Sequence, residues 1–415
     1  MTATDRSALP RHPSRRVVVA ALAAAMPLGL LAACSSGSGE GEAGGDVRTA
    51  TIGVIAPMSG LDSARGMGVL HAVQLAAAQA NESGAIPGWK IEVVPADDKG
   101  EEAAATEAAR SLAADSTVVA VVGSVFSGAT SAAAPVFAQA GIAQVSPTAT
   151  DSTLTRGAAF ATKPVRQYPT FFRVCPPDDD YAPTLARFLG DKNTRVVAAV
   201  NDGSDYGKGF NAAFTQTFTT LGGRVVDAGT VDPDTGENAA AVAKVKESRT
   251  QAVVFGGIDI DGAPLSLALK KAGVAAPVVG GDGLYTPDYL TSSGVQSAGD
   301  LSMLAGRPPE STDAGRAFLD AYRARRFDAP VALESPLAYD AATALVSALK
   351  TSLPASTGDA ASARKATVEA MSSVKADGLS GTIAFDRFGD PSNKTLTIYR
   401  LAGGNWVVEK TVEPS

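Results

Sequence analysis

The stretch STVVAVVGSVFSGATSAAAPVFAQAGIAQVSP, residues 116–147, contains the alternation that decides the fold. A valine-rich run at residues 117–122 meets a turn containing Gly and Ser, an Ala-rich segment follows, and a second apolar run begins at Ile142. Apolar runs without polar alternation are typical of strands that are buried on both faces of a parallel sheet. The stretch therefore predicts a strand, a turn, a helix that begins near Gly128, and a second strand.

The same alternation recurs along the chain and then restarts. We predict strands at residues 51–57, 90–97, 117–124 and 142–147 and, after a segment with four prolines (162–180), at 195–202, 223–231, 251–257 and 276–283. Helices are predicted at residues 68–81, 101–114, 206–221 and 262–272. The C-terminal third adds helices at 311–326 and 335–350, and strands within 381–386, 396–401 and 406–411 that would complete both lobes. This pattern predicts an α/β protein with two lobes, each built on a parallel sheet flanked by helices.

The first 47 residues have the features of an export and anchoring segment. A basic region that ends at Arg16 runs into the apolar residues 17–33, which are fewer than the roughly 20 that a membrane-spanning helix needs. We therefore predict a signal peptide at residues 1–33, by either general or twin-arginine export. Residues 31–34, Leu-Ala-Ala-Cys, resemble a bacterial lipobox, so Cys34 is predicted to be lipidated; the alternative is an ordinary cleavage site with a chance cysteine. Residues 34–47 would form a flexible tether.

Charge and cysteine content exclude several classes of function. The chain has 36 basic and 43 acidic residues and a net charge of −7, which disfavours nucleic-acid binding. With Cys34 lipidated, Cys175 is the only other cysteine, so we expect no internal disulfide and a buried Cys175. His71 is the only histidine after the leader. We expect no metal site and no cofactor.

We find no catalytic motif in the sequence. The turn GSVFSG does not fit the G-x-S-x-G of a nucleophile elbow, and GSDYGKG at residues 203–209 lacks the spacing of a phosphate loop. The acidic pairs at 97–98 and 178–180 are interpreted as solvated loops rather than catalytic carboxylates. The chain is therefore predicted not to be an enzyme, and an exported α/β enzyme is the less favoured alternative.

Turns at the predicted strand ends suggest a binding site instead. Ser127 lies at the start of a predicted helix, where free N–H groups favour a carboxylate, and SPTAT at residues 146–150 offers further hydroxyls at the same sheet edge. In the second lobe Asp282 could receive an ammonium group and Tyr206 could cover a ligand. The alternatives are a helix cap for Asp282 and a packing aromatic for Tyr206.

At these residues the chain resembles the branched-chain amino acid binding proteins of ABC importers, which are type I periplasmic binding proteins. The matching stretches are IGVIAPMSG, DDKGEEAAATEAARSL, VAVVGSVFSGATSAAAPVFAQAGIAQVSPTATDSTLT, FFRV, YDAATAL and GTIAFDRFGDP. The resemblance implies two Rossmann-like lobes joined by a three-stranded hinge, with residues 48–173 and 304–384 in lobe 1 and residues 174–303 and 385–415 in lobe 2. It also implies that the protein captures an amino acid or similar small carboxylate between the lobes.

The resemblance also implies roles for particular residues. Ser127, Thr148 and Thr150 match residues that bind the ligand carboxylate, Tyr206 matches a cleft aromatic, and Asp282 matches a glutamate that binds the α-ammonium. Three further positions differ from the family pattern: Arg65 and Ile258 replace cleft aromatics, and Phe126 replaces a disulfide cysteine. Arg65 could pair with a second acidic group on the ligand; the alternative is a solvated loop arginine.

The implied partners are the small-molecule ligand, an ABC transporter permease and, through the lipid anchor, the membrane. The protein would act as a monomer outside the cytoplasm. A receptor domain of the same fold, signalling to a membrane partner, is the alternative function.

Overall fold

The computed structural model describes residues 47–232, 237–356 and 359–413. The predicted signal peptide, Cys34 and all but the last residue of the tether lie outside the described residues. The strands are β1 (Arg48–Ala56), β2 (Trp89–Asp97), β3 (Val118–Gly123), β4 (Ala143–Ser146), β5 (Phe171–Arg173), β6 (Val196–Asn201), β7 (Arg224–Thr230), β8 (Ala252–Gly256), β9 (Val278–Gly280), β10 (Leu301–Ala305), β11 (Ala376–Asp377), β12 (Thr382–Ile383), β13 (Leu396–Ala402) and β14 (Asn405–Val412). The helices are α1 (Ser63–Glu82), α2 (Glu102–Ala114), α3 (Ser127–Ala140), α4 (Thr153–Arg156), α5 (Asp178–Asp191), α6 (Asp205–Thr220), α7 (Ala239–Ser248), α8 (Asp259–Lys271), α9 (Pro287–Ser293), α10 (Asp313–Ala324), α11 (Ser335–Ala355) and α12 (Ala360–Met371).

The first sheet has five parallel strands in the order β2-β1-β3-β4-β5. Side chains alternate across β1, so Ile52 and Val54 join the core under α1 and α11, while Ile55 joins the core under α2 and α3. Both faces of this sheet are therefore covered by helices, as its apolar strands require.

The second sheet has seven strands in the order β14-β13-β10-β9-β8-β6-β7. Strands β6 to β10 run parallel, whereas β13 and β14 add to the edge in antiparallel pairs. One face is packed by the aromatic side chains of α6, which include Phe210, Phe214 and Phe218, and the other by α7 and α8. The carboxyl ends of its parallel strands carry the loops that contribute to the candidate site.

The chain passes between the two sheets three times: between β5 and α5, between β10 and α10, and between β12 and β13. A buried ion pair fastens two of these passages together. Arg173 at the end of β5 is completely buried and donates from Nε to Oδ1 of Asp390 at 2.7 Å, while Arg156 donates to the other oxygen of Asp390 at 2.8 Å. Although burial opposes ionisation, the two guanidinium groups hold the pKa of Asp390 below its usual value.

The α/β architecture predicted from the sequence is confirmed, and each of the eight strands predicted between 51 and 283 is present. Of the predicted C-terminal strands, β13 and β14 both join the second sheet, whereas only Thr382–Ile383 of the segment 381–386 is a strand. That short strand pairs with β11 in a separate two-stranded sheet. Strand β5 was not predicted. It lies in the proline-rich segment 162–180, where the flanking prolines leave only three residues to pair with β4.

In the described part of the chain, no helix is both long and apolar enough to cross a lipid bilayer.

Candidate functional site

A cavity lies where the carboxyl-end loops of the two sheets meet. Its lining consists of Arg65, Val125, Phe126, Ser127, Thr148, Tyr206, Ile258, Asp282, Gly283 and Glu334. Seven of the eight residues predicted from the sequence are in this wall. The cavity has a volume of about 30 Å³ and shares Arg65, Thr148, Asp282 and Glu334 with a neighbouring cavity of about 880 Å³. Ligand sites in proteins commonly measure about 300–1,000 Å³, so the two together are large enough for a small solute.

Ser127 and Thr148 form the wall that belongs to the first sheet. Ser127 is the first residue of α3, and Phe126 before it provides no side-chain cap for the helix N-terminus. The Ser127 hydroxyl accepts a hydrogen bond from Asp151 N at 3.2 Å, and the Thr148 hydroxyl donates to the carbonyl of Val125 at 3.0 Å. Uncapped N–H groups at the positive end of a helix, together with a hydroxyl, favour a carboxylate.

Thr150 is the one predicted residue that does not line the cavity. It is buried, its carbonyl accepts a hydrogen bond from Asp178 N at 2.8 Å, and it lies beside the Asp178 carboxyl. Its contact with a ligand stays a prediction.

Asp282 and Tyr206 form the opposing wall, which belongs to the second sheet. The Tyr206 hydroxyl donates to Asp282 Oδ1 at 3.1 Å. Asp282 begins a short 3₁₀ helix in which Gly281 holds the N-cap position, so Asp282 is not a helix cap. Burial raises the pKa of the Asp282 carboxyl to about 6, although the Tyr206 hydroxyl opposes this shift. A cationic group beside Asp282 would favour its ionised form.

Gly281 permits the close approach of Tyr206 to Asp282. A Cβ at residue 281 would lie 2.4 Å from the Tyr206 hydroxyl oxygen. The neighbouring ring of Phe210 lies 6.1 Å from that of Tyr206, centroid to centroid, so Tyr206 both packs and donates.

Arg65 lies in the first turn of α1 and is only 9% exposed, so the interpretation of Arg65 as a solvated loop residue is wrong. Its guanidinium contacts Glu334 at 2.8 Å, Asp259 of α8 at 2.6 Å and Asp62 at 3.3 Å. Although burial opposes the charge, Glu334 and Asp259 raise the pKa of Arg65 above its ordinary value. The pair with Asp259 joins a helix of the first sheet to a helix of the second.

Glu334 and Asp259 were not singled out in the sequence. The contacts that reveal them join residues 269 and 194 positions apart, and nothing local in the sequence marks such pairs. Glu334 immediately precedes α11, its side chain is 1% exposed, and its Oε2 has no hydrogen-bond partner among the described residues.

Two of the acidic residues considered as catalytic carboxylates, Asp97 and Asp98, have structural contacts. Asp98 is completely buried and accepts from the Ser124 hydroxyl at 2.6 Å, and Asp97 accepts from Met58 N at 2.8 Å. Asp178 is 2% exposed. The interpretation of these carboxylates as solvated loop residues is therefore wrong for Asp98 and Asp178. Cys175 is buried, as predicted, and burial raises the pKa of its thiol. No group of three or more potential metal ligands occurs within the described ranges.

A cavity between the strand-end loops of two parallel sheets is the arrangement expected of a solute-binding protein, and sequence comparison gives the family. A family model described as periplasmic binding protein matches residues 49–405, so the chain belongs to that family, which comprises binding proteins rather than enzymes.

Among the similar proteins are two described as Leu/Ile/Val-binding proteins. The Leu/Ile/Val-binding protein homolog 3 of Brucella melitensis is 30% identical over 358 residues, which is 86% of this chain and 92% of that protein. The Leu/Ile/Val-binding protein BraC3 of Rhizobium johnstonii is 30% identical over 359 residues, 86% of this chain and 93% of that protein.

Solved structures show the same fold. The branched-chain amino acid transporter substrate binding protein LivJ from Streptococcus pneumoniae, in complex with isoleucine, is 27% identical with a TM-score of 0.76, over 88% of this chain and 100% of that one. The leucine binding protein LivK from Thermotoga maritima is 24% identical with a TM-score of 0.77, over 88% and 99%.

Proposed function

We propose that this chain captures an amino acid, or a similar small carboxylate, outside the cytoplasm and delivers it to the permease of an ABC transporter. The observation that carries the proposal is a single cavity with Ser127 and Thr148 on one wall and Asp282 and Tyr206 on the other. The first wall suits a carboxylate and the second suits an ammonium group. The Leu/Ile/Val-binding relatives and the isoleucine complex of LivJ support an amino acid as the ligand.

In this proposal the ligand works by stabilising the closed arrangement of the lobes. It contacts Ser127 on one lobe and Asp282 on the other, so it gains its full set of contacts only when the lobes are together. The lobes would comprise residues 48–173 with 304–384 and residues 174–303 with 385–415. Hydrogen exchange with and without ligand tests this division, because slowed exchange should concentrate at the cleft and in the three passages between the lobes.

A ligand screen tests the proposal directly. A solute present at 100 times its dissociation constant adds about 2.7 kcal/mol to the free energy of unfolding, so thermal shifts across amino acids and small carboxylates would reveal it. Asp282→Asn should then weaken the binding of an amino acid by about 2–5 kcal/mol, which raises the dissociation constant at least about 30-fold, because the ligand's ammonium would be buried without a counter-charge. The control is Asp288→Asn, which also removes one negative charge but at an exposed residue on the rim of the larger cavity. Equal effects of the two variants would contradict the assignment of Asp282.

We also propose that residues 1–33 are a signal peptide and that lipidated Cys34 anchors the protein to the membrane. Fractionation tests the anchor, because Cys34→Ala should move the protein from the membrane to the soluble extracytoplasmic fraction. A variant that stays with the membrane would refute it. We propose that the protein works as a monomer, and light scattering at micromolar concentration checks this.

A further inference from the structure

The buried carboxylate of Glu334 is not accounted for by a site for a simple zwitterion. Its Oε1 is bound by Arg65, whereas Oε2 is buried and has no hydrogen-bond partner among the described residues. Glu334 lines both the small and the large cavity. A buried carboxylate oxygen without a donor is costly, so a cationic group supplied by a ligand would be stabilised there.

The charge balance of the whole cleft points in the same direction. Three guanidinium groups line the 880 Å³ cavity, from Arg65, Arg307 and Arg323. Seven carboxylates line it: Asp62, Asp259, Asp282, Asp288, Glu310, Glu334 and Asp340. Moreover, Arg307 is paired with Glu413 and Arg323 with Asp320, carboxylates that are not part of the lining. A cleft with this excess of negative charge attracts a ligand with net positive charge more strongly than a neutral one.

The shape of the site allows such a ligand to extend. The α-carboxylate and α-ammonium groups would lie at the small cavity, between Ser127 and Thr148 on one wall and Asp282 on the other. The larger cavity continues past Asp282 and Glu334, so a side chain can pass along Glu334 into it.

We infer that the ligand is a cationic amino acid, with its α-ammonium on Asp282 and its side-chain amine or guanidinium on Glu334. The inference rests on the proposed function, since it names the kind of amino acid that the same site takes. Neutral branched-chain amino acids would leave the Glu334 oxygen and the excess negative charge without a partner.

Isothermal titration of the purified protein with lysine and with norleucine tests the inference. The two amino acids share the same unbranched carbon chain, and norleucine lacks only the terminal ammonium. Lysine should bind at least about tenfold more tightly, a difference of about 1.4 kcal/mol. Glu334→Gln should bring the ratio of the two dissociation constants towards one, and because a ratio is measured, partial misfolding of the variant does not affect it. Arginine and ornithine extend the series.

The outcomes separate this inference from the proposed function. If norleucine or leucine binds as tightly as lysine, or if Glu334→Gln leaves the ratio unchanged, the cationic specificity is wrong although amino acid capture stands. If neither an amino acid of any charge nor a small carboxylate binds, the proposed function itself fails; if only a small carboxylate binds, the inference alone is wrong. Asp191→Asn removes an exposed carboxylate that lines neither cavity, so it should change the ratio by less than about threefold. A larger change would contradict the assignment of the preference to Glu334.

Discussion

The ion pair between Arg65 and Asp259 should stabilise the closed arrangement of the lobes, and Asp259→Asn removes it with little change in shape. The two side chains are 11% and 12% exposed and their nearest atoms are 2.6 Å apart, so the pair is shielded from water. Arg65 keeps Glu334 and Asp62 in the variant. The loss is therefore that of one charged hydrogen bond, about 1.5–3 kcal/mol, rather than that of leaving a charge without any partner.

Because this contact exists only when the lobes are together, its loss should appear in ligand affinity. A cost of about 1.5–3 kcal/mol predicts a dissociation constant about 10- to 150-fold higher for Asp259→Asn, measured by calorimetry. Small-angle scattering of the ligand-free variant should show a larger radius of gyration than that of the wild type.

Asp62→Asn is the matched control for this prediction. It also removes a carboxylate from Arg65, but Asp62 lies three residues before Arg65 and therefore on the same side of the cleft. Pairs at this spacing contribute about 0.2–0.5 kcal/mol, so affinity should change less than about threefold. The reasoning is refuted if the two variants weaken binding equally, or if Asp259→Asn changes neither affinity nor radius of gyration.

Three further predictions concern pH, the passages between the lobes and the buried thiol. Burial raises the folded-state pKa of Asp282 from 3.8 to about 6. Asp282 therefore adds to the free energy of unfolding at low pH, and this contribution is lost as pH rises through 6. In denaturant titrations without ligand, Asp282→Asn should remove this pH dependence and raise the free energy of unfolding at pH 7 by on the order of 2 kcal/mol. The folded pKa of Asp390 is lowered, so its contribution is present at neutral pH and lost on acidification. Asp390→Asn should cost about 3–5 kcal/mol in urea unfolding because Arg173 stays buried without a carboxylate, whereas exposed Asp377→Asn should cost little. Cys175 should react with a thiol reagent only at the rate of unfolding, and fast labelling of the native protein would contradict its burial.

Sequence patterns located the parts of the site that depend on strand ends. Ser127 and Asp282 each follow an apolar run, and the carboxyl ends of parallel strands share one edge of a sheet, so their position in the wall of the cavity followed from the α/β pattern. The short strand β5 was missed because three residues between prolines carry too little periodicity to stand out.

The ion-pair cluster of Arg65 could not be located in this way. Its interactions depend on where α1, α8 and the residue before α11 meet in space, and no periodicity connects positions so far apart. The sequence indicated that Arg65 differs from the family pattern. Its ion-pair partners Asp259 and Glu334 could be identified only from the structure.

The missing side chain at Gly281 limits how this binding site can evolve. A Cβ there would lie 2.4 Å from the Tyr206 hydroxyl oxygen and 3.1 Å from the Phe210 ring, so an alanine would displace the Tyr206 hydroxyl. Asp282 would then lose its hydrogen-bond donor. Substitution of Gly281 is therefore not a way to change the solute that binds. Glu334 and Ile258 line the cavity and donate no hydrogen bond to Asp282, so substitutions there can change the solute without this loss.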